Sequence, residues 1–178
     1  MNNYVEELVE AWLKFNGYIT CRNVPFWKPE SKGRRQPQWG DIDVLGIKDD
    51  EAILVECKEF LGTKRIEEWP IELSQEFKEA EEVLKGKVKN PYGVPCPNLS
   101  KKKIKRLLVA VSPKNLKSYK DALEPQGIEV KSFKKVLNEI LEYLYKHIDI
   151  KPGRAGKYGK HYGLIRFLIT LIYYDMLK

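Results

Sequence analysis

The stretch GDIDVLGIKDDEAILVECKEF, residues 40–60, decides how the rest of the chain is read. Two apolar runs flank Asp49-Asp50, a pair suited to a tight turn, so the segment reads as a β-hairpin. Yet Asp41, Asp43, Glu56 and Lys58 sit inside the strands. With Asp49 and Asp50 at the centre of the turn, Asp43 falls opposite Glu56 and Asp41 opposite Lys58. Strand alternation sends Asp41, Asp43 and Leu45 to one face and Ile42, Val44 and Gly46 to the other. On the second strand Leu54, Glu56, Lys58 and Phe60 share a face, with Ile53, Val55 and Cys57 opposite. Opposed side chains have Cβ atoms ~5 Å apart, so two or three carboxylates and an ammonium crowd one small patch. Like charges held that close repel, and a hard divalent cation with oxygen ligands is the natural neutraliser. A lysine beside it can hold an attacking water or stabilise charge building on phosphorus. The plainer alternative is a surface hairpin whose solvated acids pair with Lys58. Against it, Ile53–Val55 is apolar on both faces, which suggests a strand buried on both sides, where an unpaired charge is expensive.

Outward from this hairpin, the chain alternates helical and strand patterns. Val5, Leu8, Val9, Trp12 and Leu13 have helical spacing over residues 4–16, closed by Asn16-Gly17. YITCRNVPF (18–26) reads as a strand, and WKPESKGRRQPQWG (27–40) as a Pro/Gly-rich basic loop. A helix starts near Pro70 and ends at Gly86. Residues 87–104 hold prolines and lysines and read as a surface loop. RLLVAVSP (106–113) has the unbroken apolarity of a buried strand, followed by a short helix to Leu123, a strand at 128–133 and an amphipathic helix at 134–148. A Gly-rich basic linker then leads to a last apolar helix of about fourteen residues, shorter than the ~20 that span a bilayer. The order predicts an α/β fold, a mixed central sheet flanked by helices.

With 178 residues, 43% of them hydrophobic, the chain suits one full-sized core. We expect it over residues 1–150, with 151–178 packed on it or at a dimer interface. The net charge of +7 arises from 32 Lys and Arg against 25 acids and favours a polyanionic partner. Cys21, Cys57 and Cys96 are odd in number and widely spaced, so neither a disulfide framework nor a zinc site is indicated. A cytoplasmic location fits, and the acidic N-terminus lacks the signature of a signal peptide.

Asp43 followed by ILVECK, with Glu56 and Lys58, resembles the PD-(D/E)XK nuclease superfamily. The match spans roughly residues 4–148 and is similar in appearance to archaeal Holliday-junction resolvases and Mrr-type endonuclease domains. The resemblance implies a restriction-endonuclease-like fold and a DNA endonuclease using Mg²⁺, with Mn²⁺ as a substitute. It implies Asp43 and Glu56 as metal ligands, the Cys57 backbone carbonyl completing the shell, and Lys58 assisting the water. The proline of the family's motif is absent, and Gly40-Asp41-Ile42-Asp43 offers two acids. The spacing to Glu56 and the hairpin register favour Asp43, leaving Asp41 as a partner of Lys58 or an accessory group.

Resolvase-like members also place a glutamate of the first helix on the metal. Glu6, at the edge of the apolar stripe, is the candidate, whereas Glu7 and Glu10 fit a solvated face. Gln75 is the accessory candidate on the helix after Lys58. Lys32, Arg34 and Arg35 form one DNA-binding cluster, Lys101, Lys102 and Lys103 a second, and Arg154, Lys157 and Lys160 a third, all suited to backbone contacts. A junction-cutting enzyme needs two active sites, so a homodimer is expected. A catalytically silent nucleic-acid-binding subunit with the same fold is the alternative.

Overall fold

A computed structural model describes residues 3–28, 30, 36–59, 61, 67–89, 93, 96–111, 115–147, 163–174 and 176. Among them the chain runs α1 (Tyr4–Phe15), β1 (Ile19–Lys28), β2 (Gln38–Lys48), β3 (Glu51–Lys58), α2 (Trp69–Leu84), β4 (Lys103–Ala110), α3 (Leu116–Leu123), β5 (Ile128–Ser132), α4 (Phe133–His147) and α5 (Gly163–Tyr173). The five strands lie in the order β1-β2-β3-β4-β5, with β1, β2 and β3 antiparallel and β3, β4 and β5 parallel. This is the mixed α/β sheet flanked by helices that the sequence pattern predicts, consistent with a restriction-endonuclease-like fold.

The central strand β3 is apolar on both faces because both faces are covered. Ala52 and Leu54 pack with Leu73, Phe77 and Ala80 of α2. Ile53, Val55 and Cys57 pack with α1, α4 and α5 through Val9, Val136, Ile140 and Ile169. α1 buries its predicted stripe and is opened by Asn3, whose side chain accepts the Val5 N–H at 3.0 Å. Glu7 in turn accepts the backbone N–H of Leu164 at 3.1 Å, placing a negative charge at the start of α5. α5 buries Ile165, Leu168, Ile169 and Ile172 and leaves Phe167, Tyr173 and Tyr174 exposed. Among the described residues no helix is long and apolar enough to cross a membrane.

The hairpin turns at Asp49-Asp50 in the expected register, Lys48 opposite Glu51 through to Val44 opposite Val55. Asp49 carries φ 47, a left-handed conformation that Asp tolerates better than bulkier residues. Two boundaries differ from the sequence reading. β1 continues through Trp27 and Lys28, and β2 begins at Gln38, because Trp27 pairs with Trp39 across the strands and extends the ladder into the supposed loop. β4 begins at Lys103, where the parallel register brings Lys105 to the Glu51 carboxylate at 2.6 Å.

Regular alternation also fails at one point. Val24 and Ile42, a cross-strand pair, face α2, whereas Val44 faces α1 although it lies two residues from Ile42. Residues two apart on a regular strand share a face. Both strands therefore roll over between these pairs, at Asn23, with φ 51, and at Asp43.

Candidate active site

The rollover positions Asp43. The ladder between β2 and β3 ends at Val44 and Val55, and the next N–H that needs a partner on β3 is met by a side chain: Asp43 Oδ2 accepts the Cys57 N–H at 2.6 Å. The carboxylate thus substitutes for a ladder carbonyl where the strands part. Glu56 stands beside it, 7% exposed, at the end of the buried strand. Lys58 bonds the Glu56 carboxylate directly.

These groups perturb one another as a cluster. Burial pushes the Asp43 carboxyl up to about 6; the Cys57 N–H and Lys58 oppose the rise, and the charges of Glu6 and Asp41 add to it. Burial pushes Glu56 up to about 7, reinforced by the charge of Asp43 and opposed by Lys58. Glu6 is raised too, chiefly by burial, and feels Arg22, Asp41 and Lys58. Burial alone would lower Lys58, but Glu56 and Asp43 raise it, so it stays an ammonium. The Cys57 thiol is pushed well up by burial and then by the neighbouring carboxylates, which removes it as a nucleophile.

Asp43, Glu56 and Lys58 thus lie together, and Glu6 and Asp41 reach Asp43 through their charge. Asp41 is not the partner of Lys58. It pairs with Pro25 on β1, and because β2 and β3 separate beyond Val44, Lys58 turns to Glu56 instead. Gln75 is also displaced: it is exposed and donates to the buried Glu79 of the same helix at 3.0 Å. The neighbouring Glu76 is the residue of α2 whose charge reaches Glu56 and Lys58. Glu10 is not solvated; it is 9% exposed, accepts from Thr20 at 2.9 Å and pairs with Lys14 and Arg22 at 3.0 and 3.2 Å. Glu7 caps α5, as above.

Sequence reasoning missed Lys28, a lysine only 8% exposed, which bonds Glu76. Its side chain crosses β2 over Gly40. A Cβ there would overlap Lys28 Cε and come within 2.7 Å of both Lys28 Nζ and Phe26 Cζ. The signal was present as a glycine in a strand, a mark of close approach. Gly40→Ala is therefore expected to destabilise the fold by about 1–3 kcal/mol, measured by denaturant melting. A melt within about 0.3 kcal/mol of the parent would show that Lys28 can leave this path freely.

Of the proposed DNA contacts, Lys101, Lys102 and Lys103 lie at the start of β4 beside Glu51 and the Asp49-Asp50 turn, roughly 17 Å of strand from Glu56. They do not flank the carboxylates, because β3 and β4 are parallel and the site is at the other end. Lys32, Arg34, Arg35, Arg154, Lys157 and Lys160 lie outside the described residues.

The donor chemistry fits a hard divalent cation. Asp43 feels the charges of Glu6 and Asp41 and raises Glu56 in turn, while Lys58 is the cation that acts on Asp43, Glu56 and Glu6 alike, so carboxylates outnumber their common counter-charge. Among the described residues no three His, Cys, Asp or Glu side chains form a ready metal cage. Mg²⁺ needs none, since it binds through one or two carboxylates and completes its shell with water and phosphate.

No family model matches the chain, and no curated protein matches it. The solved structure described as "Crystal Structure of Protein of Unknown Function AF1548" is similar, with a TM-score of 0.51 and 15% sequence identity over 98% of this chain and 100% of that one. That likeness is one of fold.

Proposed function

We propose that the protein is a Mg²⁺-dependent DNA endonuclease of the PD-(D/E)XK type. The observation that supports this most is the buried, mutually raised pair of Asp43 and Glu56 with the Lys58 ammonium beside it, at the end of a strand covered on both faces. Such a pair is costly in a fold without a cation, and clusters of this kind concentrate at functional sites. Asp43 and Glu56 would hold the metal; the family resemblance adds the Cys57 backbone carbonyl, and Glu6 acts on Asp43 through its charge. A bound Mg²⁺ supplies Lewis-acid polarisation of the phosphate and lowers the pKa of water. Lys58, kept as an ammonium by its acidic neighbours and released from Glu56 when a cation takes that carboxylate, would orient the attacking water and offset negative charge developing on phosphorus. Asp43 is itself fixed by the Cys57 N–H, so the carboxylate does not reorganise as the reaction proceeds.

The test is cleavage of plasmid, single-stranded and four-way-junction DNA by the purified protein with and without Mg²⁺, with RNA in parallel. Mg²⁺-stimulated phosphodiester cleavage of DNA is expected. Binding without cleavage would replace the enzyme with a silent binding subunit, and preferential cleavage of RNA would change the substrate.

A further inference from the structure

The outer face of the β1–β2 arm carries what a core strand has no reason to expose. On the inner face Val24, Phe26 and Ile42 are 3%, 0% and 1% exposed, and Gly40 and Lys28 are buried beside them. On the outer face the paired positions are Pro25 with Asp41 and Trp27 with Trp39. The tryptophan rings meet edge to face, with centroids 5.3 Å apart and planes at 70°, and Trp39 is 43% exposed. A cross-strand aromatic pair stabilises a hairpin, and a smaller pair would do so with less apolar surface exposed.

The position of the pair is informative. Trp39 lies on the same face of β2 as Asp41, two residues away, which is roughly 7 Å along the strand. The charge of Asp41 reaches Asp43 and Glu6, so the platform adjoins the carboxylate cluster. Asp43 lies four residues from Trp39, roughly 13 Å along the strand, which is about four base steps of a stacked strand, at ~3.4 Å each. The bases of an intact duplex have their faces already covered by one another. An unpaired base offers a free π-face, and exposed aromatic rings hold such bases without regard to sequence.

We propose that Trp27 and Trp39 form a stacking platform for an unpaired nucleobase of DNA, about four nucleotides from the phosphate held at Asp43 and Glu56. This rests on the nuclease reading and narrows it to DNA with a single-stranded, frayed or branched segment beside the cut.

Intrinsic fluorescence tests it, because Trp12 and Trp69 are 8% and 9% exposed and the platform supplies the accessible indoles. The full chain is titrated in EDTA, where cleavage is suppressed, with a short oligothymidine strand and with a duplex of equal length. The single strand is expected to quench the emission and to bind about tenfold more tightly than the duplex. Trp39→Ala should weaken that binding about tenfold, and Trp39→Phe should retain most of it. Should Trp39→Ala melt early, Trp39→Thr, a strand-favouring residue without a ring, takes its place. Equal affinity for strand and duplex, or unchanged binding in the ring-less variant, overturns the platform. If Mg²⁺-dependent cleavage persists in that case, the nuclease reading survives alone. If the wild-type protein neither cleaves nor binds DNA, both fall together.

Discussion

Glu56→Gln is expected to lower Mg²⁺-dependent cleavage by about a thousandfold or more and, in the same protein, to raise the stability of the metal-free fold at pH 8. The first effect follows from removing a ligand charge where the phosphate must be polarised. The second follows from the carboxyl being pushed from its ordinary 4.5 up to about 7, chiefly by burial, even with Lys58 bonded to it. At pH 8 the native state thus holds a charge that its surroundings disfavour by something of the order of 3 kcal/mol. The neutral isostere relieves much of this, and Lys58 keeps Asp43 as a counter-charge, so the loss of the ion pair does not reverse the sign. Parallel measurements of cleavage rate and denaturant melting check both halves. A variant that is both inactive and destabilised at pH 8 would mean that Glu56 is a structural anion held by Lys58.

Metal-free protein is expected to lose stability as pH rises from about 4 to about 7, and Mg²⁺ to restore it only at the upper end. Asp43 and Glu56 have native values raised to about 6 and about 7, above their ordinary 3.8 and 4.5. Groups raised on folding contribute stability that is fully present below their unfolded values and disappears as pH climbs through the native ones. A divalent ion competes with those protons, so its stabilisation grows with pH. Thermal melts at pH 5 and pH 8, with and without Mg²⁺, in wild type and Glu56→Gln, isolate this contribution from that of other titrating groups. A rise of several degrees with Mg²⁺ at pH 8, small at pH 5 and missing in the variant, is the expected pattern. Equal shifts at both pH values would place the ion elsewhere.

The hairpin was legible because two aspartates in a row and two apolar runs fix both its turn and its register, and the register fixes which residues meet. The route by which Asp43 reaches Glu56 was not. Regular alternation carries the two acids to one face, whereas the chain brings them together through a rollover at Asn23 and Asp43. One left-handed Asn leaves no periodic trace in a sequence. Gln75 and Glu76 are adjacent on α2, 100° apart around the helix, so a small error in phase exchanges an outward residue for an inward one. The extension of β1 and β2 was obscured because Pro37 and the basic run mask strand character that comes only from Trp27 meeting Trp39. That the lysines at 101–103 lie at the far end of the sheet from Glu56 was not legible either, because a basic cluster in a sequence does not reveal which end of a parallel sheet it occupies.

The central claim is that a doubly charged ion belongs between Asp43 and Glu56. Anomalous diffraction from crystals soaked in Mn²⁺ tests it most directly. The account predicts a strong peak within ligating distance of both carboxylates, with Lys58 drawn aside from Glu56. Crystals that show no peak there, at Mn²⁺ concentrations that support cleavage in solution, or a peak held by other residues, would contradict it.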